Sequence, residues 1–284
     1  MKGIAACIVT YNPEFARFSE CLSAVAEQVE HVFVVDNGSN ETGGVEALCR
    51  EYDNAIFVPL GENKGIAAAL NMGCAAAVEK RCTAVLTLDQ DSVCEDGLVE
   101  KLAAHLTKDV GIAAPWISYA GNEEYYELPQ DGPYEVEWTI TSASLTSLDA
   151  WRKIGGFDET LFIDSVDRDF CIRLRRAGYR VVIDPATSLS HELGDMRCVR
   201  ILGKVIHITN HSSFRKYYIA RNKILLAKKG EISSAECMRE ISQEFFKALL
   251  LEDNKASKIS RLMHGIVDGL QSRIGTPKTG VSSK

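Results

Sequence analysis

Asp89-Gln90-Asp91 closes an apolar run, Thr83 to Leu88. Two carboxylates so close in sequence repel each other unless a cation lies between them. If the chain stays extended through them, both side chains leave the same face of the strand. Hard oxygen ligands in that position suit Mg²⁺ or Mn²⁺, which commonly complete their shells with substrate phosphates. The expected chemistry is to hold a diphosphate and neutralise the charge that builds on it as it leaves. Further on, Asp164-Ser-Val-Asp167-Arg-Asp169 places three carboxylates at the start of a helix. The helix macrodipole alone favours acids there, and Asp169 stands four residues before Arg173, a spacing for an ion pair. Asp167 or Asp164 is left as the general base that takes a proton from an attacking hydroxyl. His191 follows a later strand and reads either as a structural histidine or as a further metal ligand.

These groups need elements to position them. Ile4 to Thr10 and His31 to Asp36 are continuous apolar runs rich in β-branched residues and read as buried strands. Phe15, Phe18, Leu22 and Val25 recur at helical spacing between them. A short helix near Val45 to Cys49, a strand at Ala55 to Leu60, an Ala-rich helix to about Val78 and the strand before Asp89 continue the alternation. That pattern predicts an α/β fold with a mostly parallel central sheet and helices on both faces. In such sheets ligands bind beyond the carboxyl ends of the strands. The rule selects Thr10, Asn12, Asp36, Asn63, Gly65, Asp89 and Gln90 as candidates for binding a nucleotide-bearing donor. Asn63-Lys64-Gly65 opens a helix, whose N-terminus attracts anions. After Asp96 the pattern loosens: a strand near Ile112 to Ser118, a polar loop from Gly121 to Pro133, and an alternating stretch, Val136 to Leu145, that reads as an antiparallel strand. Short helices at Leu148 to Ile154 and Val166 to Ala177, then a strand at Tyr179 to Ile183, complete residues 1–212 as one domain. Residues 213–274 read as a helical extension, and 275–284 as a disordered tail rich in Gly, Ser, Thr and Lys.

Composition narrows the class. The 284 residues are 46% hydrophobic and 25% charged, as in ordinary globular proteins. No apolar run approaches the ~20 residues that span a bilayer, and no signal-peptide pattern opens the chain, so a cytoplasmic location is expected. Nine cysteines without a Cys-x-x-Cys pair point to buried free thiols rather than bridges or a zinc site, as the apolar neighbours of Cys7, Cys74 and Cys171 suggest. Net charge is −7, yet nine Lys and Arg fall between Arg197 and Gly230 with no acid among them. That stretch is either a solvated helix face or a surface for phosphate-rich ligands or an anionic membrane. Nothing points to nucleic acid as a partner.

Taken in order, the motifs resemble glycosyltransferase family two, with its GT-A (Rossmann-like) fold. Ile8-Val-Thr-Tyr-Asn12, Val35-Asp-Asn-Gly-Ser39, Glu62-Asn-Lys-Gly65 with Ala69-Leu-Asn71, and Leu88-Asp-Gln-Asp91 match its donor half. Gly155-Gly-Phe-Asp-Glu159 and Asp167-Arg-Asp-Phe-Cys-Ile-Arg-Leu174 match its acceptor half. Thr87 to Ser92, Leu161 to Asp164, Ser190 to Gly194, and Tyr217-Tyr218 with Arg221-Asn222 are most similar to bacterial rhamnosyltransferases. The resemblance implies that Asp36 contacts the nucleotide base, that Asp89 and Asp91 serve the metal diphosphate, and that Asp167 is the base. It also implies a metal-ligating histidine downstream of that base, and His191 lies 24 residues on. Two departures stand out: Val166 replaces the first acid of a common pair, leaving Asp164 as a substitute, and Ala143 stands where glycine is expected.

The expected activity is an inverting, metal-dependent transfer of L-rhamnose from dTDP-L-rhamnose to a hydroxyl of a cell-surface glycan or lipid-linked acceptor. Arg221 in the C-terminal helices is a candidate to close over the donor diphosphate, and Trp116, Trp138, Tyr125 and Tyr126 are candidates to stack on acceptor sugars. The same helices carry an apolar face, Phe245, Phe246, Leu249 and Leu250, suited to self-packing, a homodimer or peripheral membrane contact. Rival activities are another nucleotide sugar as donor, a nucleotidyltransferase, or a non-catalytic nucleotide-sugar-binding module. The segment after the first strand, Thr10-Tyr-Asn-Pro-Glu14, lacks a nucleotidyltransferase's Gly-rich basic signature.

Overall fold

The computed structural model describes residues 2–119, 130–191, 197–201 and 204–273, with the backbone alone for 119, 190, 191, 197–201 and 204–207. The predicted aromatic pair Tyr125 and Tyr126 and the tail from residue 275 lie outside the described residues. In the first half, strands β1 (Ile4–Thr10), β2 (His31–Asp36), β3 (Ala55–Pro59) and β4 (Ala84–Asp89) alternate with helices α1 (Phe15–Ala26), α2 (Thr42–Cys49) and α3 (Ile66–Glu79). Helix α4 (Leu98–His105) and strand β5 (Val110–Tyr119) follow. The second half holds β6 (Tyr134–Glu135), β7 (Ser144–Ser147), α5 (Leu148–Lys153), α6 (Val166–Arg176) and β8 (Arg180–His191). A hairpin of β9 (Arg197–Ile201) and β10 (Lys204–Ile208) leads into α7 (Ser213–Lys228), α8 (Ser234–Leu250) and α9 (Lys255–Leu270).

Eight strands form one sheet in the order β3-β2-β1-β4-β7-β5-β8-β6. The strands β3, β2, β1 and β4 are mutually parallel, and β7 lies antiparallel between β4 and β5. This is the mixed, mostly parallel α/β sheet that the alternation predicts. Its pleat sorts the apolar runs onto two faces. From β1, Ala5, Cys7 and Val9 enter the core shared with α3 and α6, while Ile4, Ala6 and Ile8 enter the core shared with α1 and α4. A strand buried on both sides has no polar alternation, which is why β1 and β2 read as continuous apolar runs. Helix α3 lies close on β1 because Gly73 carries no side chain; a Cβ there would meet the Cys7 Sγ at 2.1 Å.

The stretch from Val136 to Leu145 departs from its predicted strand. Strand β6 ends at Glu135, the Val136 N–H makes one more bond to the Val181 carbonyl of β8 at 3.0 Å, and the chain rejoins the sheet only at Ser144. Between them Ala143 takes a left-handed φ of 57°, and Thr87 Oγ1 donates to the Thr141 carbonyl at 2.5 Å. The glycine expected at position 143 is thus explained by backbone conformation, and alanine occupies it fully buried. Among the basic residues 197–230, those with described side chains are not a free cationic face. Arg215, Lys216, Lys223 and Lys229 pair with carboxylates, while Lys228 and Arg221 donate to backbone carbonyls. All eight cysteines with described side chains are buried free thiols. Among the described residues no helix is long and apolar enough to cross a membrane.

Gly73→Ala is expected to destabilise the protein by about 1–3 kcal/mol, the usual cost of overpacking a filled core. Urea unfolding measures it, and Cys7→Ala in the same chain should recover part of the loss by removing the clashing sulfur.

Candidate active site

The four loops at the carboxyl ends of β4, β1, β2 and β3 are laced to one another by side chains. Gln90 accepts from the Tyr11 N–H at 2.8 Å, bridging β4 to β1. Thr10 Oγ1 donates to Asp36 at 3.0 Å, and Ser39 donates to the same carboxylate through Oγ at 2.5 Å and N–H at 3.1 Å. Asn12, at a left-handed φ of 47°, donates its N–H to Ser39 Oγ and accepts from the Asn40 N–H. Asn37 joins β2 to the β3 loop, donating to Asn63 at 3.1 Å and accepting from the Lys64 N–H at 2.8 Å. Thr10 and Asp36 are fully buried. The sequence-selected Thr10, Asp36, Asn63 and Gln90 therefore come together at one sheet edge, where they bond to one another and to backbone. Gly65 opens α3 at φ +87°, and the Phe162 carbonyl already accepts from the next N–H, Ile66, at 2.7 Å. A Cβ on Gly65 would strike that carbonyl at 2.6 Å, so the loop holding Asp164 sits directly on the helix start.

The acids meet a short way off. Asp167, in the first turn of α6, is half-buried and its carboxyl is pushed up to about 6. Burial is the main cause, opposed by the Arg168 N–H that donates to it and reinforced by the negative charges of Asp164 and Asp89. The cation facing this group is Arg215 of α7. It holds Asp164 in a fork, at 2.6 Å through Nη2 and 3.3 Å through Nε, and the charges of Asp164, Asp89 and Asp167 together keep it firmly protonated. His211 lies beside it, driven down to about 4 by burial and by the Arg215 charge, and is neutral at pH 7.

Arg221, expected at the diphosphate, is instead fully buried. Its guanidinium donates to the carbonyls of Thr160 at 2.6 Å and Leu161 at 3.1 Å, and lies over the Tyr218 ring. Asn222 donates to the carbonyls of Leu161, Ile163 and Asp164 at 2.8, 2.8 and 2.7 Å. The backbone of the 160–165 loop accounts for this placement. Phe162, Asp164 and Ser165 all take left-handed φ values near 62–65°, costly for side-chain-bearing residues. Arg221 and Asn222 collect the carbonyls that this backbone turns inward. Arg215, nearly two helical turns earlier on α7, is the arginine that faces the acids, and no spacing in the sequence singles it out. Asp169 pairs with Arg173 at 2.7 Å, as the i+4 spacing predicts, and Arg168 points to Glu236 and Glu240 of α8.

Strand β4 ends at Asp89, so Asp91 does not continue it. The chain turns after Asp89, with the Ser92 N–H bonded back to the Asp89 carbonyl at 3.2 Å. Asp89 is half-buried on the side of Asp167, and Asp91 is exposed beside α1, where Arg17 donates to its carbonyl. Among the described residues no three ligating side chains gather. His191 closes β8 opposite Tyr119, and its side chain lies outside the described residues.

Residues 5–174 match the family model of Glycosyl transferase family 2. The chain belongs to glycosyltransferase family 2. It is 30% identical to the Shigella flexneri dTDP-rhamnosyl transferase RfbF over 293 aligned positions, covering 96% of this chain and 97% of that protein. It is 26% identical to a Mycobacterium tuberculosis N-acetylglucosaminyl-diphospho-decaprenol L-rhamnosyltransferase, over 64% of this chain and 74% of that protein. The crystal structure of S. aureus TarS 1-349 shares the fold, with a TM-score of 0.59 at 14% identity over 94% of this chain and 80% of that one. Family membership sets aside a nucleotidyltransferase, and the fold is of the GT-A type expected.

As the expected base, Asp167 would have to be ionised to accept a proton, so its raised value would place the loss of activity on the acid side. The kcat/KM profile is expected to fall roughly tenfold per unit below about pH 6. Linkage runs the other way for stability: a carboxyl raised in the folded state favours folding at low pH, and that contribution is lost as pH rises through about 6. Asp167→Asn should therefore raise the Tm by a few degrees at pH 8 and leave it unchanged at pH 4, measured by thermal unfolding.

Proposed function

We propose that this enzyme transfers L-rhamnose from dTDP-L-rhamnose to a hydroxyl of a cell-surface glycan or lipid-linked acceptor, with inversion at the anomeric carbon. The observation that carries the reading is the meeting of Asp89, at the end of a donor-side strand, with Asp167 on α6, close enough for one charge to raise the proton affinity of the other. The full-length likeness to a protein described as a dTDP-rhamnosyl transferase supports the choice of sugar.

The chemistry is one displacement. Asp167 takes the proton of the acceptor hydroxyl, whose oxygen forms a bond to the anomeric carbon as the bond from that carbon to the diphosphate oxygen breaks. Asp89 and Asp91 would hold Mg²⁺ or Mn²⁺, with His191 as a further ligand, and the ion would neutralise charge on the departing dTDP. Because the leaving group is already stabilised, no second carboxylic acid has to protonate it, unlike glycoside hydrolysis. Arg215 adds a fixed positive charge at the same place and orients Asp164. Peripheral membrane contact belongs to the same reading: Phe246, Leu249 and Leu250 on α8 and Met263 and Leu270 on α9 are exposed.

Product NMR starting from dTDP-β-L-rhamnose is expected to show an α-linked rhamnoside; a β-linked product would overturn inversion. Asp167→Asn should keep donor binding and lose transfer by at least 10²-fold, whereas Asp89→Asn and treatment with EDTA should both abolish transfer and the metal-dependent thermal stabilisation by donor. A fully active Asp167→Asn variant removes the base assignment. Liposome co-sedimentation at low and high salt tests membrane contact, and no binding at low salt removes it.

A further inference from the structure

A cleft of about 480 Å³ opens between α6, the start of α8 and the segment around Trp138. Trp138, Arg168, Ile172, Arg175 and Glu231 are among the residues that line it. The indole is 47% exposed, and outside α8 and α9 only Met72 shares its place among the exposed large hydrophobic side chains of the described residues. Glu231 also borders it, but its Oε2 is buried away from the opening, and burial with the charge of neighbouring Asp169 pushes this carboxyl up to about 7. Arg175 is exposed on the same wall.

The electrostatics of the wall select the class of ligand. Arg168 is already neutralised by Glu236 at 2.5 Å and Glu240 at 3.0 Å. Arg175 and Arg176 line the same cleft as the acids Glu137 and Glu231. Near-balanced charge gives a polyanion no net attraction. An aromatic face flanked by hydrogen-bonding groups suits an uncharged, hydroxyl-rich ring.

Both elements that line the cleft also run to the reaction centre. Helix α6 carries Asp167 in its first turn, and its residues to Arg175 extend about 12 Å further along the axis. From Trp138 the chain passes through Thr139 to Ser142, whose Oγ lies 2.6 Å from that of Ser92, next to Asp91.

We propose that this cleft is a second glycan subsite, in which Trp138 stacks on an uncharged sugar of the acceptor chain remote from the attacked hydroxyl while Arg175 bonds its hydroxyls. The assignment rests on the rhamnosyl-transfer reading for the acceptor's identity. The test uses the full chain and neutral rhamnose mono- to tetrasaccharides, with binding read by calorimetry and transfer read separately. Wild type should bind the tetrasaccharide more tightly than the monosaccharide. Trp138→Ala should weaken tetrasaccharide binding and raise its KM about tenfold, with the monosaccharide and dTDP-rhamnose hydrolysis unaffected. Trp138→Phe should restore most of the loss, and Arg175→Gln should reproduce part of it. Equal tetrasaccharide affinities for wild type and Trp138→Ala, or binding of inorganic pyrophosphate there in preference to the sugars, overturns the subsite. Failure of rhamnosyl transfer with tetrasaccharide binding still dependent on Trp138 overturns the reaction reading alone.

Discussion

Crowding of like charge at one end of the sheet is the constraint around which this protein is arranged. Burial, reinforced by the negative charges of Asp164 and Asp89, lets Asp167 hold its proton up to about pH 6. Left to itself such a group would spread apart or take up protons. It is held together because each acid comes from a separately braced element: Asp89 from a strand in mid-sheet, Asp164 from a loop seated on α3, and Asp167 from the first turn of α6. Arg215 supplies the opposing charge.

Helix α7 is the strut behind the arrangement. One side gives Arg215 to the acids, and another gives Arg221 and Asn222 to the carbonyls of the 160–164 loop. Between them Lys216 is wholly buried and shared by Glu244 and Glu252, the latter also bound by Lys258. A buried network of this kind adds little net stability and is strongly disrupted if one member is removed. Its effect here is to fix α8 and α9 on α7 in one register. Gly265 and Gly269 let α9 approach the backbone at Tyr217 and Arg221 more closely than any side chain would allow. The C-terminal helices are therefore part of the site's scaffold.

Much of this was legible in the residues because it obeys short-range rules. Strands β1 to β4 follow from apolar runs, and the Asp169–Arg173 pair follows from helical spacing. The glycosyltransferase assignment followed from the order of several weak motifs. What escaped depends on the third dimension. Nothing in the spacing of α7 says that Arg215 faces the acids while Arg221 is internal; that is decided by the left-handed backbone at Phe162, Asp164 and Ser165. The segment from Val136 to Ala143 alternates like a strand, yet Thr87 and Ser92 claim its polar groups and bend it away from the sheet. The roles expected of Asp36, Asn63 and Gln90 were drawn from position alone, and position could not reveal how far these side chains are occupied with one another.

The buried thiols give the molecule a property of its own. Cys7, Cys49, Cys94 and Cys171 are each pushed up to about 12 by burial, so almost none of their sulfur is in the reactive thiolate form at neutral pH. Alkylating reagents can reach them only in conformations where the layers part. The cysteines sit on both faces of the sheet, Cys7 and Cys171 on one and Cys49 and Cys94 on the other. The speed at which each is modified is thus a native clock for the opening of its own layer, reporting separately on the two halves of the sandwich without any label being introduced.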